Sequence, residues 1–172
     1  MKKFQIFGKA ILFTGLIALA SACNGDEAVG TGGQSGSYIT ASVNGSGFEA
    51  AVMGVSTVTA VRTGTGAGNL IMITGANPDA HAITINLFGI TATGDYNVTP
   101  DSDSVMAYVD GMGSSTASYD TGECEGATGV VHVTQISDTQ IEGTFEFTGK
   151  SEENSCAAKS VTNGSFRGIF MQ

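Results

Sequence analysis

The feature that most constrains this chain is an apolar period of two. Ile83, Ile85 and Leu87 alternate with Ala82, Thr84 and Asn86, and Ile141, Phe145 and Phe147 alternate with Glu142, Thr144, Glu146 and Thr148. In an extended chain that period puts one set of side chains on each face, so such runs read as strands with a buried side and a wetted side. Ile39, Ala41 and Val43 repeat the pattern against Tyr38, Thr40 and Ser42, as do Val131 and Val133 against His132 and Thr134. Turn formers separate the runs: Asn44-Gly45-Ser46-Gly47, the stretch 64–69, Asn77-Pro78, Gly94-Asp95, Asp110-Gly111, Thr121-Gly122 and Ser137-Asp138. Strands joined by short turns pair antiparallel. The spacing predicts about ten of them, hence an all-β fold: a single antiparallel β-sandwich, with a flattened β-barrel as the alternative. Phe48 to Val61 is the one ambiguous stretch, since Phe48, Ala51, Val52 and Val55 also fit a helical face; the β-branched series Val55, Thr57, Val58, Thr59 and Val61 favours strand.

The N-terminus follows a different rule. Lys2, Lys3 and Lys9 precede an uncharged apolar run from Ala10 to Ala20, the layout of a secretory signal peptide over residues 1–22. Even extended to Ala22 the run makes a helix of only about 20 Å, short of the roughly 30 Å of a bilayer core. Small residues, Ala20-Ser21-Ala22, lead up to Cys23 as at a cleavage site. The chain has three cysteines, Cys23, Cys124 and Cys156, and an exported chain with an odd count leaves one unpaired. Lipidation of Cys23 leaves an even pair. Cys124 and Cys156 are then expected to form a disulfide worth roughly 3 to 4 kcal/mol, the alternative being two free or buried thiols.

LASAC, residues 19–23, resembles a bacterial lipobox, with Ala20 in the place usually held by Leu. The resemblance implies a diacylglycerol on the Cys23 sulfur, and more than one acyl chain suffices for stable membrane anchoring. Asp26-Glu27 shortly after the cysteine resembles the start of Bacteroidota lipoproteins, which implies the outer membrane and surface display. Residues 23–37, rich in Gly and Ser with two acids and no apolar period, read as a flexible tether reaching on the order of 20 Å. The β-domain then occupies 38–172.

All sixteen acidic residues follow the signal, while only Arg62, Lys150, Lys159 and Arg167 remain basic, so the exported part carries a net charge of −12. That excludes nucleic acid as a partner, because phosphate binding relies on clustered Lys and Arg. It equally disfavours peripheral adsorption to anionic lipid.

ITASVNGSGFEA, LIMITGAN, ITINLFGITATGDYNV, GVVHVTQISDTQIEGTFEFTG and VTNGSFRGIF occur in this order, and together they resemble a family of small Bacteroidota lipoproteins of unknown function. The most specific part is a VVHVT strand paired with an IEGTFEFTG strand and followed by a closing TNGSF strand. The resemblance implies a hairpin with a terminal strand and brings no catalytic residue with it; Cys124 and Cys156 fall in loops flanking that hairpin.

Chemistry is sparse. The two histidines, His81 and His132, read as ordinary surface residues, one in a loop and one on the polar face of a strand, and no Gly-x-Ser-x-Gly elbow accompanies them. Residues 64–69 precede a strand and so form a hairpin loop, not a dinucleotide fingerprint. Asp101 and Asp103 are calcium candidates that lack the further ligands of an EF-hand loop, and the acids around Cys124 and Cys156 read as solvated loop charge. Asp103-Ser104-Val105 resembles a short O-glycosylation acceptor, which makes Ser104 a candidate. A sugar platform would draw on Tyr38, Tyr96, Tyr108 and Tyr119, since the chain has no Trp; Tyr38 and Tyr108 also read as strand packing. The expectation is a cofactor-free, outer-membrane-anchored, non-catalytic module for a glycan or envelope protein. A hydrolase of envelope or glycan polymers and a structural envelope protein are the alternatives.

Overall fold

In the computed structural model, residues 36–111 and 116–171 are described. The expected signal peptide, Cys23 and the expected tether as far as residue 35 lie outside the described residues. Each alternating run folds as a strand. In chain order these are β1 (Tyr38–Val43), β2 (Ser46–Glu49), β3 (Ala51–Val52), β4 (Val55–Ser56), β5 (Thr59–Thr63), β6 (Leu70–Ala76), β7 (Ala82–Phe88), β8 (Gly94–Val98), β9 (Val105–Asp110), β10 (Ala117–Asp120), β11 (Thr128–Ile136), β12 (Gln140–Ser151) and β13 (Ala157–Ile169). Thirteen strands appear among the described residues where about ten were expected. The surplus lies in Phe48 to Val61, which is strand as its β-branched residues indicated, but divided into pieces as short as two residues.

Eleven strands form one curled antiparallel sheet, running β2-β1-β13-β12-β10-β9-β7-β6-β5, with β11 on β12 and β8 on β11. The long β12–β13 hairpin explains the curl. The free edge of β12 takes β11 along Ile141 to Thr148 but β10 at Lys150, and that of β13 takes β1 along Val161 to Arg167 but meets β5 where Ala60 bridges Phe170. The hairpin is therefore shared by two layers, β8-β11-β12-β13-β1-β2 and β10-β9-β7-β6-β5. Its opposite ends join the two edges of the second layer. The result is a sandwich with barrel-like closure, so the two architectures expected from the sequence meet in one sheet.

The inward phase of every strand feeds one core. Ile39, Val131, Val133, Phe145, Phe147 and Phe166 from one layer join Ile71, Ile73, Ile83, Ile85, Leu87 and Met106 from the other. Most of these are wholly buried, and each such side chain contributes about 1.5–3 kcal/mol. Close strand approach requires Gly143, where a Cβ would sit 2.2 Å from the His132 carbonyl oxygen. In β13, Val161 pairs with Phe147 and Gly164 with Phe145, so one extra residue bulges there. Asn163, with φ +52°, takes up the bulge.

Candidate functional site

Four strand ends carry the core phase past the point where apolar residues run out. On β9 the inward positions read Met106, Tyr108, Asp110; on β13, Val161 is preceded in phase by Lys159; on β7, Ile83 is preceded in phase by His81. Tyr119 of β10 pairs directly with Tyr108. The alternation that fills the core thus delivers a carboxylate, an ammonium, an imidazole and two phenols to one mouth of the sandwich.

These groups are in mutual contact. Lys159 Nζ donates to Asp110 Oδ2, and His81 Nε2 lies 3.1 Å from Asp110 Oδ1. The Lys159 ammonium also stands 5.3 Å from the Tyr108 ring centre and 5.2 Å from that of Tyr119, within cation–π range. The hydrogen bond from Lys159 holds the Asp110 carboxyl below the usual aspartate range, against the opposing effect of partial burial, with Lys159 and His81 adding charge attraction. Burial of Tyr108, helped by the negative charge of Asp110, pushes its phenol up to about 12, so it stays a protonated donor.

Two turns complete the walls. The Asn77 side-chain oxygen accepts from the backbone N–H groups of Asp79 and His81, an Asx-type turn that sets the His81 backbone. Asn44-Gly45, both at positive φ as a two-residue hairpin turn requires, join β1 to β2. Asn44 is clamped to β13 beside Lys159, donating its N–H to the Ser160 carbonyl and accepting the Ser160 N–H on its side chain. With Val43, Phe48 and Tyr108 they enclose a cavity of about 330 Å³ that opens to solvent.

A second concavity, of about 540 Å³, lies on the outer face of β8, β11, β12 and β13 around Val130, Thr144, Glu146 and Asn163. Its close polar contact, His132 with Asp95, joins side chains that are both more than half exposed. That contact is a cross-strand pair on a wetted face and concentrates no chemistry, so the mouth is the stronger candidate.

The residues singled out in the sequence fall as follows. Cys124 and Cys156 are disulfide-bonded, with Cα atoms 5.9 Å apart, and tie the loop after β10 to the β12–β13 turn. Asp101 and Asp103 are exposed on the turn between β8 and β9, and among the described residues no group of three or more His, Cys, Asp or Glu is placed to hold a metal ion. Ser104 is buried, with its Oγ accepting the Phe88 N–H, so the hydroxyl is shielded from a glycosylating enzyme. Tyr38 lies under the Arg167 guanidinium, and Tyr96 donates its hydroxyl to the Ala92 carbonyl. His132 is on the polar face as expected, but His81 is not an ordinary loop histidine: half-buried, it faces Asp110. Asp110 and Lys159 were not singled out in the sequence, where Asp110-Gly111 reads as a turn and Lys159 enters only through the net charge. The signal was their phase, two residues beyond Tyr108 and two before Val161.

Neither a curated protein nor a solved structure matches this chain. A family profile does match, over residues 37–170 and so over the whole described domain but its end residues; the chain belongs to DUF6252, a domain of unknown function.

Proposed function

We propose that this is an exported lipoprotein, anchored in the outer membrane through acylated Cys23, whose β-domain binds a hydroxyl-rich ligand such as a glycan terminus at the mouth between Asp110, Lys159 and His81. The observation that carries the reading is the inward-facing ion pair Asp110–Lys159, set beside an aromatic wall in an open cavity. Carboxylate oxygens accept from sugar hydroxyls and the ammonium donates to them, while the buried Tyr108 and Phe48 rings line the cavity with their edges.

The state of Asp110 supports binding over hydrolysis. A glycosidase general acid needs a carboxyl raised toward neutrality, whereas Asp110 is held low by Lys159. The test is calorimetric titration of the mature domain with oligosaccharides from envelope and host glycans, alongside Asp110→Asn. Saturable heat that this variant loses is the expected result. Shortened oligosaccharide products would instead establish the hydrolase. No heat from any glycan at high protein concentration would favour a structural envelope protein. Cys23→Ala tests the anchor, and should move the protein from membrane to soluble fractions.

A further inference from the structure

The β3–β4 hairpin turns three neighbouring large apolar side chains away from the core. Val52 is 42%, Met53 98% and Val55 69% exposed. Its tip, Met53-Gly54, takes φ +53° and +79°, the geometry of a two-residue turn that ordinarily selects Asn-Gly. A methionine there bears backbone strain and gains no burial within the fold. The β3–β4 pairing holds only two residue pairs, and the hairpin is tied to the main sheet where the Ala50 N–H donates to the Ile39 carbonyl and the Thr57 hydroxyl donates to the Ala76 carbonyl.

What covers this tip is indicated by where it sits. The Ser56 hydroxyl donates to the Ser37 carbonyl at 2.6 Å, and Ile169, itself 40% exposed, donates its N–H to the Ser37 hydroxyl at 2.9 Å. Ser37 is where the domain receives the chain coming from Cys23. The thirteen residue steps from Cys23 to Gly36 span at most about 45 Å when fully extended and about 20 Å as a coil. The apolar tip therefore lies at the tethered end.

Charge points the same way. At the Ser37 end, Arg62 and Arg167 pair with Asp138 and Glu142, with Glu49 a further carboxylate on β2. Asp120, Glu123, Glu125, Glu152 and Glu153 gather with Lys150 at the other end of β13, about 40 Å away along an extended strand. An acidic domain held at a bilayer turns its most acidic end outward.

We infer that the β3–β4 hairpin is a membrane-contacting finger, with Val52, Met53 and Val55 entering the lipid interface beside the point where the anchored chain joins the domain. The occupant is the bilayer itself, and the inference rests on the acylation of Cys23. A second, shallow apolar contact adds to the anchor and fixes the domain's orientation, which a lipid on a tether alone does not do. The mouth, walled by Asn44 at the far end of six-residue β1 and so about 20 Å from Ser37, is thereby held off the membrane.

The test uses acylated protein, its mass checked for lipid on Cys23, in phosphatidylcholine vesicles. An environment-sensitive fluorophore is placed at Met53→Cys and, as control, at Asp101→Cys on the exposed turn after β8. The label at position 53 should shift to the blue and be quenched by nitroxide carried on lipid acyl chains, while the label at 101 stays aqueous. An aqueous label at 53 on acylated, vesicle-bound protein overturns the finger and leaves the anchor standing. Protein recovered without acyl chains, and not retained on vesicles, overturns both. A blue shift at 53 that appears without vesicles and grows with protein concentration overturns the finger in favour of a second copy covering it.

Discussion

Breaking the Cys124–Cys156 bond should cost this domain a substantial share of the roughly 5–15 kcal/mol by which folded domains are stable. The bond joins positions 32 apart, and closing a loop of that length removes about 12 cal/mol/K from the unfolded chain, or about 3.7 kcal/mol at 25 °C. For the domain matched over residues 37–170, an unfolding entropy near 2.1 cal/mol/K per residue converts this into a fall in Tm of about 13 °C. The assay is calorimetric or denaturant unfolding of oxidised protein, reduced protein and Cys124→Ala/Cys156→Ala. The comparison separates two effects. Cys124 is buried, so the double variant loses packing as well as the cross-link, whereas reduction keeps both sulfurs in place. Reduced protein should fall by about 13 °C and the variant slightly further, with a steeper denaturant slope in both because the uncrosslinked chain exposes more surface. A reduced protein melting within about 3 °C of the oxidised one would refute the loop-entropy reasoning.

Lys159→Met keeps the stem between the two tyrosine rings and removes the charge. The depressed carboxyl of Asp110 stabilises the fold above the ordinary value of 3.8 and loses that contribution as pH falls further, so wild type should exceed the variant in stability at neutral pH and converge with it in acid; a gap constant across the pH range would count against the pairing. In an ultraviolet titration one tyrosine should ionise late, near 12, and Tyr108→Phe should remove that step; four tyrosines titrating together would contradict the burial of Tyr108. Gly143→Ala places a methyl against the His132 carbonyl and should cost about 1–3 kcal/mol or more by chemical denaturation, since the β11–β12 backbones must part to admit it; an unchanged midpoint would show that the strands separate freely.

The core was legible because its rule is local. Ile83, Ile85 and Leu87 declare their face within five residues, and the structure buries all three completely. Pairing of β11 with β12 was legible for the same reason, a short turn between two alternating runs. Closure was not. That β13 lies between β12 and β1, and that Phe170 reaches Ala60, depends on contacts between residues more than a hundred positions apart, which no local period encodes. The mouth was hidden by a related limit. His81, Asp110 and Lys159 are polar residues at strand ends, where sequence reading assigns solvent, and only the folded sheet shows that the three ends converge.

That convergence bears on why the domain carries a disulfide where it does. At the mouth the inward phase supplies charge where the rest of the sandwich buries apolar area, so this end gains little from the hydrophobic effect. The start of β13 is also thinly paired. Ala157 to Ser160 bond to β12, but β1 reaches only as far as Val161, and the Asn44 clamp on Ser160 is what remains on that side. Cys156 lies three residues before Lys159, and Cys124 lies in the loop that follows Tyr119 and Asp120. The cross-link therefore constrains both flanks of the ion pair from the backbone, supplying order that core packing does not provide there. Reduction should accordingly weaken ligand binding at the mouth under conditions where the domain remains folded. Titration of reduced protein well below its Tm checks this, and an affinity equal to that of the oxidised protein would mean that Lys159 is held by its tyrosine and aspartate contacts alone.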